Sequence, residues 1–156
     1  MKSMARENKN FSDYYYQVSL KVILKDKKGR ILILRMPNNS SMAGYYDLPG
    51  GRIRQKEINL PYRRIIDREI KEEAGGVKYR LIERPVAIAR YAYFSKKLKK
   101  KQFLFWVFFE AIYLGGKIRV SPEHIEYKWA NLDKKNLEKY FIRGPREGMK
   151  NYFRNN

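Results

Sequence analysis

The chain has 156 residues, enough for one ordinary domain and little more. Hydrophobic residues at 44% and aromatics at 15% supply a core, so the formal charge of +19 belongs to a folded chain and not to a disordered polybasic one. The absence of cysteine excludes disulfides and thiolate metal sites, and the single histidine, His124, excludes a multi-histidine centre.

Charge of this sign favours anionic partners: nucleotides, polyphosphates, nucleic acid or an acidic membrane surface. Residues 1–13 are polar and read as a flexible basic N-terminal tail without the apolar core of a secretion signal; residues 14–156 read as a single domain. Alternation of Val18, Leu20, Val22 and Leu24 predicts a half-buried strand. The turn Asp26-Lys27-Lys28-Gly29 and the run Ile31 to Leu34 complete a hairpin whose second strand is buried on both faces. Pro37 to Gly44, rich in Asn, Ser and Gly, reads as a loop.

A helix is expected from about Leu60 or Pro61, with Asn59 as its N-cap, to Gly75-Gly76. Strands resume over Val77 to Tyr93 and, after the basic turn Lys96 to Lys101, over Gln102 to Tyr113. The most apolar stretch, Phe103 to Leu114, contains Glu110 and falls short of the about 20 residues that span a bilayer. A loop with Ser121-Pro122-Glu123, a short strand over Tyr127 to Ala130, a second amphipathic helix over Leu132 to Phe141 and a basic C-terminal tail complete the chain. Strands and helices in this order predict an α/β fold with a mixed sheet between helices.

The chemistry concentrates in Arg68-Glu69-Ile70-Lys71-Glu72-Glu73-Ala74-Gly75. On a helix, Ile66, Ile70 and Ala74 form one stripe, and Glu69, Glu72 and Glu73 form another. Three carboxylates at these spacings repel one another, and a cation would relieve the repulsion. Oxygen ligands select a hard ion, Mg²⁺ or Mn²⁺. The plainer alternative is a solvated helix face neutralised by Arg68 and Lys71.

This segment resembles the Nudix family, whose box runs Gly, five residues, Glu, seven residues, Arg-Glu-apolar-x-Glu-Glu-x-Gly-apolar. Gly51, five residues and Glu57 match the first part, and Arg68 to Gly75 match the second. Leu48-Pro49-Gly50-Gly51 resembles the family's entry to the box. Ten residues, not seven, separate Glu57 from Arg68, Gly76 replaces the final apolar residue, and Arg54 stands where relatives often carry an acid. Pro61 places the three-residue insertion in the loop before the helix, since proline sits poorly inside one.

The resemblance implies an α/β/α sandwich with a mixed β-sheet and a Mg²⁺-dependent hydrolase, with Mn²⁺ as a substitute, acting on a phosphoanhydride bond. It implies that Glu69, Glu72 and Glu73 bind the divalent ions and serve catalysis, with Gly51 lending its carbonyl. Glu57 and Arg68 would form a structural ion pair, and Gly50, Gly51 and Gly75 would shape the backbone. A further glutamate from a late loop would be Glu126 or Glu123, with Glu126 favoured. The proton of the attacking water would go to one of these carboxylates.

Glu110, a carboxylate in a buried strand, needs a partner, either a metal or a lysine. Tyr45, Tyr46, Tyr91, Tyr93 and Phe94 are candidate walls for a base, or core aromatics. Arg35, Arg52 and Arg90 are candidate phosphate contacts. The expected substrate is a small nucleoside diphosphate derivative or nucleoside triphosphate in the cytoplasm, with no membrane association and with a homodimer compatible. The rival reading is a non-catalytic or RNA-directed domain of the same family, binding nucleic acid through its basic turn and tail; the intact glutamate triplet favours the enzyme.

Overall fold

A computed structural model describes residues 15–156, and the expected tail over residues 1–13 lies outside them. Strand β1 (Gln17–Lys25) occupies the middle of a mixed sheet. It runs parallel to β6 (Lys100–Gly115), with Gln17 opposite Leu104 and Lys25 opposite Ile112. On its other side it meets β2 (Ile31–Arg35) and β4 (Gly50–Arg52), both antiparallel. Beyond β2 lie β3 (Tyr46–Asp47) and β8 (Tyr127–Ala130). Strand β5 (Lys78–Ser95) pairs with β6 and forms the far edge.

Helix α1 (Tyr62–Ala74) covers one face of this sheet. Its Ile65, Ile66 and Ile70 pack with Leu20, Val22 and Leu24 of β1. Helix α3 (Arg143–Arg154) covers the other, where Met149 and Tyr152 join Ile23, Trp106 and Phe108. The architecture is therefore the α/β/α sandwich with a mixed sheet. Strand β1 departs from the half-buried expectation. Because both faces carry a helix, Ser19 and Lys21 are buried, as is Leu20 between them.

The acidic helix begins two residues later than Leu60. Pro61 is its N-cap and no side chain caps it, so Asn59 does not serve that role. Gln55–Glu57 form a 3₁₀ turn and residues 58–61 an exposed loop, which places the inserted residues outside the helix. At the helix end, Ala74 and Gly75 bridge to β7 (Arg119–Val120).

The C-terminal third differs most from expectation. The helix expected over Leu132 to Phe141 shrinks to α2 (Leu137–Tyr140). Asp133 explains this: its carboxylate accepts the backbone N–H groups of Lys135 and Asn136 and holds a turn in place of the first helical turns. The expected tail is in fact α3. A Cβ at Gly144 would lie 2.1 Å from the Trp106 ring, and one at Gly148 would lie 2.0 Å from the Phe108 ring. Their missing side chains let the helix sit directly on the aromatic floor of the sheet. Glu110 lies beneath the same helix and is satisfied by Lys25 Nζ at 3.3 Å and the Tyr152 hydroxyl at 2.5 Å.

Gly148→Ala should destabilise the fold by about 1–3 kcal/mol through overpacking, even though alanine favours helix. Urea denaturation would read this, and an unchanged or raised midpoint would refute the close-approach account.

Candidate functional site

The acidic helix and the sheet meet where β4 crosses the edge of β1. Lys21 Nζ is buried there and donates to Asp47 Oδ2 at 2.7 Å, to the Gly50 carbonyl at 3.1 Å and to the Leu48 carbonyl at 3.3 Å. Burial alone would lower the pKa of this amine. The charges of Asp47, Glu73 and Glu69 outweigh burial and hold it above its ordinary value, so it stays an ammonium.

Gly50 adopts φ 131°, and a Cβ there would meet the Leu20 carbonyl at 2.0 Å, so glycine is required on both counts. Its N–H donates to Glu73 Oε2 at 2.7 Å. Gly51 passes equally close to the next carboxylate: a Cβ there would stand 2.6 Å from the Glu69 carboxyl. Burial pushes the Glu73 carboxyl up to about 8, opposed by Lys21 and the Gly50 N–H. Burial also raises Glu69, opposed by Arg68.

Around this centre runs an ion-pair network. Arg68 forks onto both oxygens of Glu57, lies 2.6 Å from Glu69 Oε1 and reaches Glu72 at 3.1 Å. Glu57 also accepts the Arg54 N–H at 2.9 Å, and the Arg68 hydrogen bonds hold its carboxyl below the usual range. The ten-residue spacing therefore leaves the Glu57–Arg68 pair intact. Arg54 meets Glu72 at 3.0 and 3.2 Å.

Among the described residues no three carboxylate or imidazole groups converge as a metal cage. Glu72 is paired with Arg54 and Arg68. The donor set nonetheless fits a hard cation. Glu69 and Glu73 are desolvated carboxylates that would serve as oxygen ligands, and the glycine backbone lies against Glu69 with no side chain between.

Gly51 also lines a cavity of about 270 Å³ on the opposite face of the sheet. Lys21, Asp47 and Arg52 stand at that end, while Tyr91, Tyr93 and Trp106 form an aromatic wall. The rings of Tyr91 and Tyr93 are nearly parallel at 6.4 Å, and Trp106 lies 6.3 Å from Tyr91. Arg52 has no ion-pair partner among the described residues.

Other expected site residues lie elsewhere. Arg35 and Tyr46 both contact Glu126 Oε1, at 3.2 and 3.4 Å. Glu123 is exposed, Tyr45 is half-buried and Phe94 is 64% exposed; none of the three lines this cavity, and neither does Arg90. Sequence reasoning missed Lys21 and Asp47. A lone lysine inside Val18 to Leu24 and an acid just before Leu48-Pro49-Gly50 were the available signals.

A carboxyl whose pKa rises on folding binds more protons in the folded state between the two values, so its contribution to stability falls as pH climbs. For Glu73 that window runs from about 4.5 to about 8. In metal-free protein, the stability of wild type relative to Glu73→Gln should therefore decline steadily across it. Parallel thermal melts from pH 5 to pH 8.5 test this, and a pH-independent difference would contradict it.

The comparisons with known proteins agree with this fold. The model of the NUDIX domain family matches residues 15–151. The structure is similar to a MutT protein from Methanosarcina mazei Go1, at 26% identity and TM-score 0.64, covering 92% of this chain and 94% of that one. It is also similar to a MutT NUDIX hydrolase from Burkholderia pseudomallei, at 21% identity and TM-score 0.59, covering 89% and 97%. The dihydroneopterin triphosphate pyrophosphohydrolase of E. coli is similar at 17% identity and TM-score 0.59, covering 92% and 100%. The last two likenesses speak for the fold alone. No curated protein matches the sequence.

Proposed function

The chain belongs to the NUDIX domain family, and we propose that it is a Mg²⁺-dependent hydrolase of a phosphoanhydride bond in a nucleoside diphosphate derivative or nucleoside triphosphate. One observation carries this reading: two desolvated carboxylates, Glu69 and Glu73, abut Gly50-Gly51, and Gly51 also lines, on the other face of the sheet, a cavity with Lys21, Asp47 and Arg52 at one end and aromatic rings at the other. A polyphosphate joined to a planar ring has the same polarity.

Members of the family generally use divalent metals. Here Glu69, Glu73 and the Gly51 carbonyl would hold the ion, joined by Glu72 once released from Arg54. A bound ion of this kind screens phosphate oxygens and acidifies the attacking water. The remaining work falls to the protein. Arg52 offers an unpaired guanidinium to the phosphates beside Gly51. Arg35 and Tyr46, with Glu126, form a second set of candidate contacts across the adjacent strands.

Water forms a bond to one phosphorus as the bridging P–O bond breaks, and its proton passes to one of the three glutamates or to Glu126. Arg68 and Glu57 position Glu69 and Glu72 and touch no substrate. The expectation that residues 14–156 act as one domain, and a cytoplasmic location, belong to the same proposal. No helix among the described residues is long and apolar enough to cross a membrane.

A panel of nucleoside triphosphates and nucleoside diphosphate derivatives, assayed with Mg²⁺ and with Mn²⁺, should reveal turnover by wild type. Glu72→Gln and Glu73→Gln should each lower kcat by about 10²–10⁴ while leaving a folded protein. No turnover across the panel, or unimpaired variants, would defeat the proposal.

A further inference from the structure

Strands β5 and β6 form a long hairpin whose two faces are covered differently. Residues opposite one another in an antiparallel pair share a face. Ala89 with Trp106 and Tyr91 with Leu104 therefore look toward α3 and the aromatic cavity. The alternate pairs, Ile88 with Val107, Arg90 with Phe105, Ala92 with Phe103 and Phe94 with Lys101, look the other way. Helix α1 reaches this second face at Phe109, whose ring lies 6.1 Å from that of Tyr62. Beyond it Ile88, Arg90, Ala92 and Phe94 are all exposed, Phe94 by 64%. The chain entering β1 adds a ring to the same face. Tyr16 meets Phe103 and Phe105 edge-on at 5.8 and 5.9 Å and stays 40% exposed. Beside it Tyr15, Lys100 and Lys101 help to line a cavity of about 370 Å³. An apolar patch of this kind, rimmed by polar groups, marks an interaction surface.

Charge narrows the partner. Between Glu83 and Glu110 the sequence carries seven basic residues and no acidic one. Five of them, Lys96, Lys97, Lys99, Lys100 and Lys101, cluster where β5 turns into β6, and none has an ion-pair partner among the described residues. A second copy of this chain would set two such clusters against each other, and like charges oppose association. A lipid surface takes up apolar side chains below its headgroups. Here the protruding tip is lysine around Leu98 alone, and the rings lie behind it on the strands. Rings on a strand face beside a run of ammonium groups suit a polyanion that also carries flat π-faces, which describes unpaired bases on a phosphate chain.

We propose that this outer face of the β5–β6 hairpin binds single-stranded nucleic acid, with Phe94 and Tyr16 stacking bases and the lysines of the turn meeting phosphates. Stacking and charge are common to RNA and DNA, so the surface accepts both. It lies on the opposite side of the hairpin from the aromatic cavity and does not depend on the hydrolase reading.

The full chain, kept in EDTA and titrated against labelled twelve-nucleotide oligouridylate and oligothymidylate by fluorescence anisotropy, should bind both alike. The logarithm of affinity should fall linearly with that of salt, with a slope of roughly −2 to −3.5 for about three to five phosphates neutralised. Phe94→Ala and Tyr16→Ala should each weaken binding about tenfold with the slope unchanged, and Phe94→Trp should retain it. Phe94 is exposed, so its removal leaves the fold intact, and thermal melts control for Tyr16→Ala. Lys97→Gln combined with Lys99→Gln should flatten the slope. A duplex of the same length has no free base faces, so any binding it shows should be indifferent to Phe94→Ala. No binding at low salt, single-strand binding that survives both ring substitutions, or a duplex weakened by them equally would overturn the proposal. So would phosphatidylserine vesicles or polyglutamate bound in preference to the oligonucleotides, or a dimer that Phe94→Ala dissociates.

Discussion

An ammonium sealed inside the sheet is expensive to desolvate, and the way Lys21 is satisfied organises everything around it. Removing an ion from water costs several kcal/mol even after relaxation, and the loss is recovered only when every donor finds a partner. Lys21 finds one carboxylate and two backbone carbonyls, all from the segment Asp47 to Gly50. That segment is thereby pinned across β1, and its two glycines are brought against the acidic helix. The same cation lies close enough to Glu73 and Glu69 to temper their mutual repulsion. A strongly basic chain thus holds several carboxylates in one place by placing a positive charge at their centre.

The second constraint comes from the opposite face. The sheet offers Trp106 and Phe108 as a flat aromatic floor, and two glycines one turn apart let α3 lie on it without intervening side chains. This sets the height of the helix and so the position of Arg143. The cavity is a consequence of both devices. Gly51 forms its boundary with the acidic helix, and Arg143 forms its boundary with the far groove, where Arg146 and Arg154 continue the basic surface.

How much of this could be read from the residues depended on whether the signal was local. The stripe of Glu69, Glu72 and Glu73, the apolar stripe beside it, and the Gly50-Gly51 approach all follow from spacing within a short segment. The Glu57–Arg68 pair was legible too, because a loop insertion lengthens the path between two residues without preventing their contact. Lys21 was not legible. Alternation assigned it to a polar face, and only the parallel pairing of β1 with β6, some eighty residues away, makes that face an interior. Helix α3 was not legible for a related reason: in isolation glycine weakens a helix, whereas at Gly144 and Gly148 it permits contact with an aromatic ring. Asp133 worked in the other direction, since its side chain competes with the helix that the apolar spacing of Leu132 to Phe141 suggests.

The three glutamates are not equivalent, because their environments differ. Glu69 and Glu73 are buried and fixed by Arg68, Gly51 and the Gly50 N–H, so little reorganisation remains for them to undergo. Glu72 is about half exposed, held by Arg54 and Arg68 through ion pairs that water screens. Exposed pairs of this kind contribute about 0–1 kcal/mol, so exchanging Arg54 for another cation costs Glu72 almost nothing. An arginine at position 54, where an acid is common in relatives, therefore does not block a hard ion from the site. It pairs with the most exposed of the three carboxylates, while the two buried ones are held by Arg68 and by the Gly50 N–H.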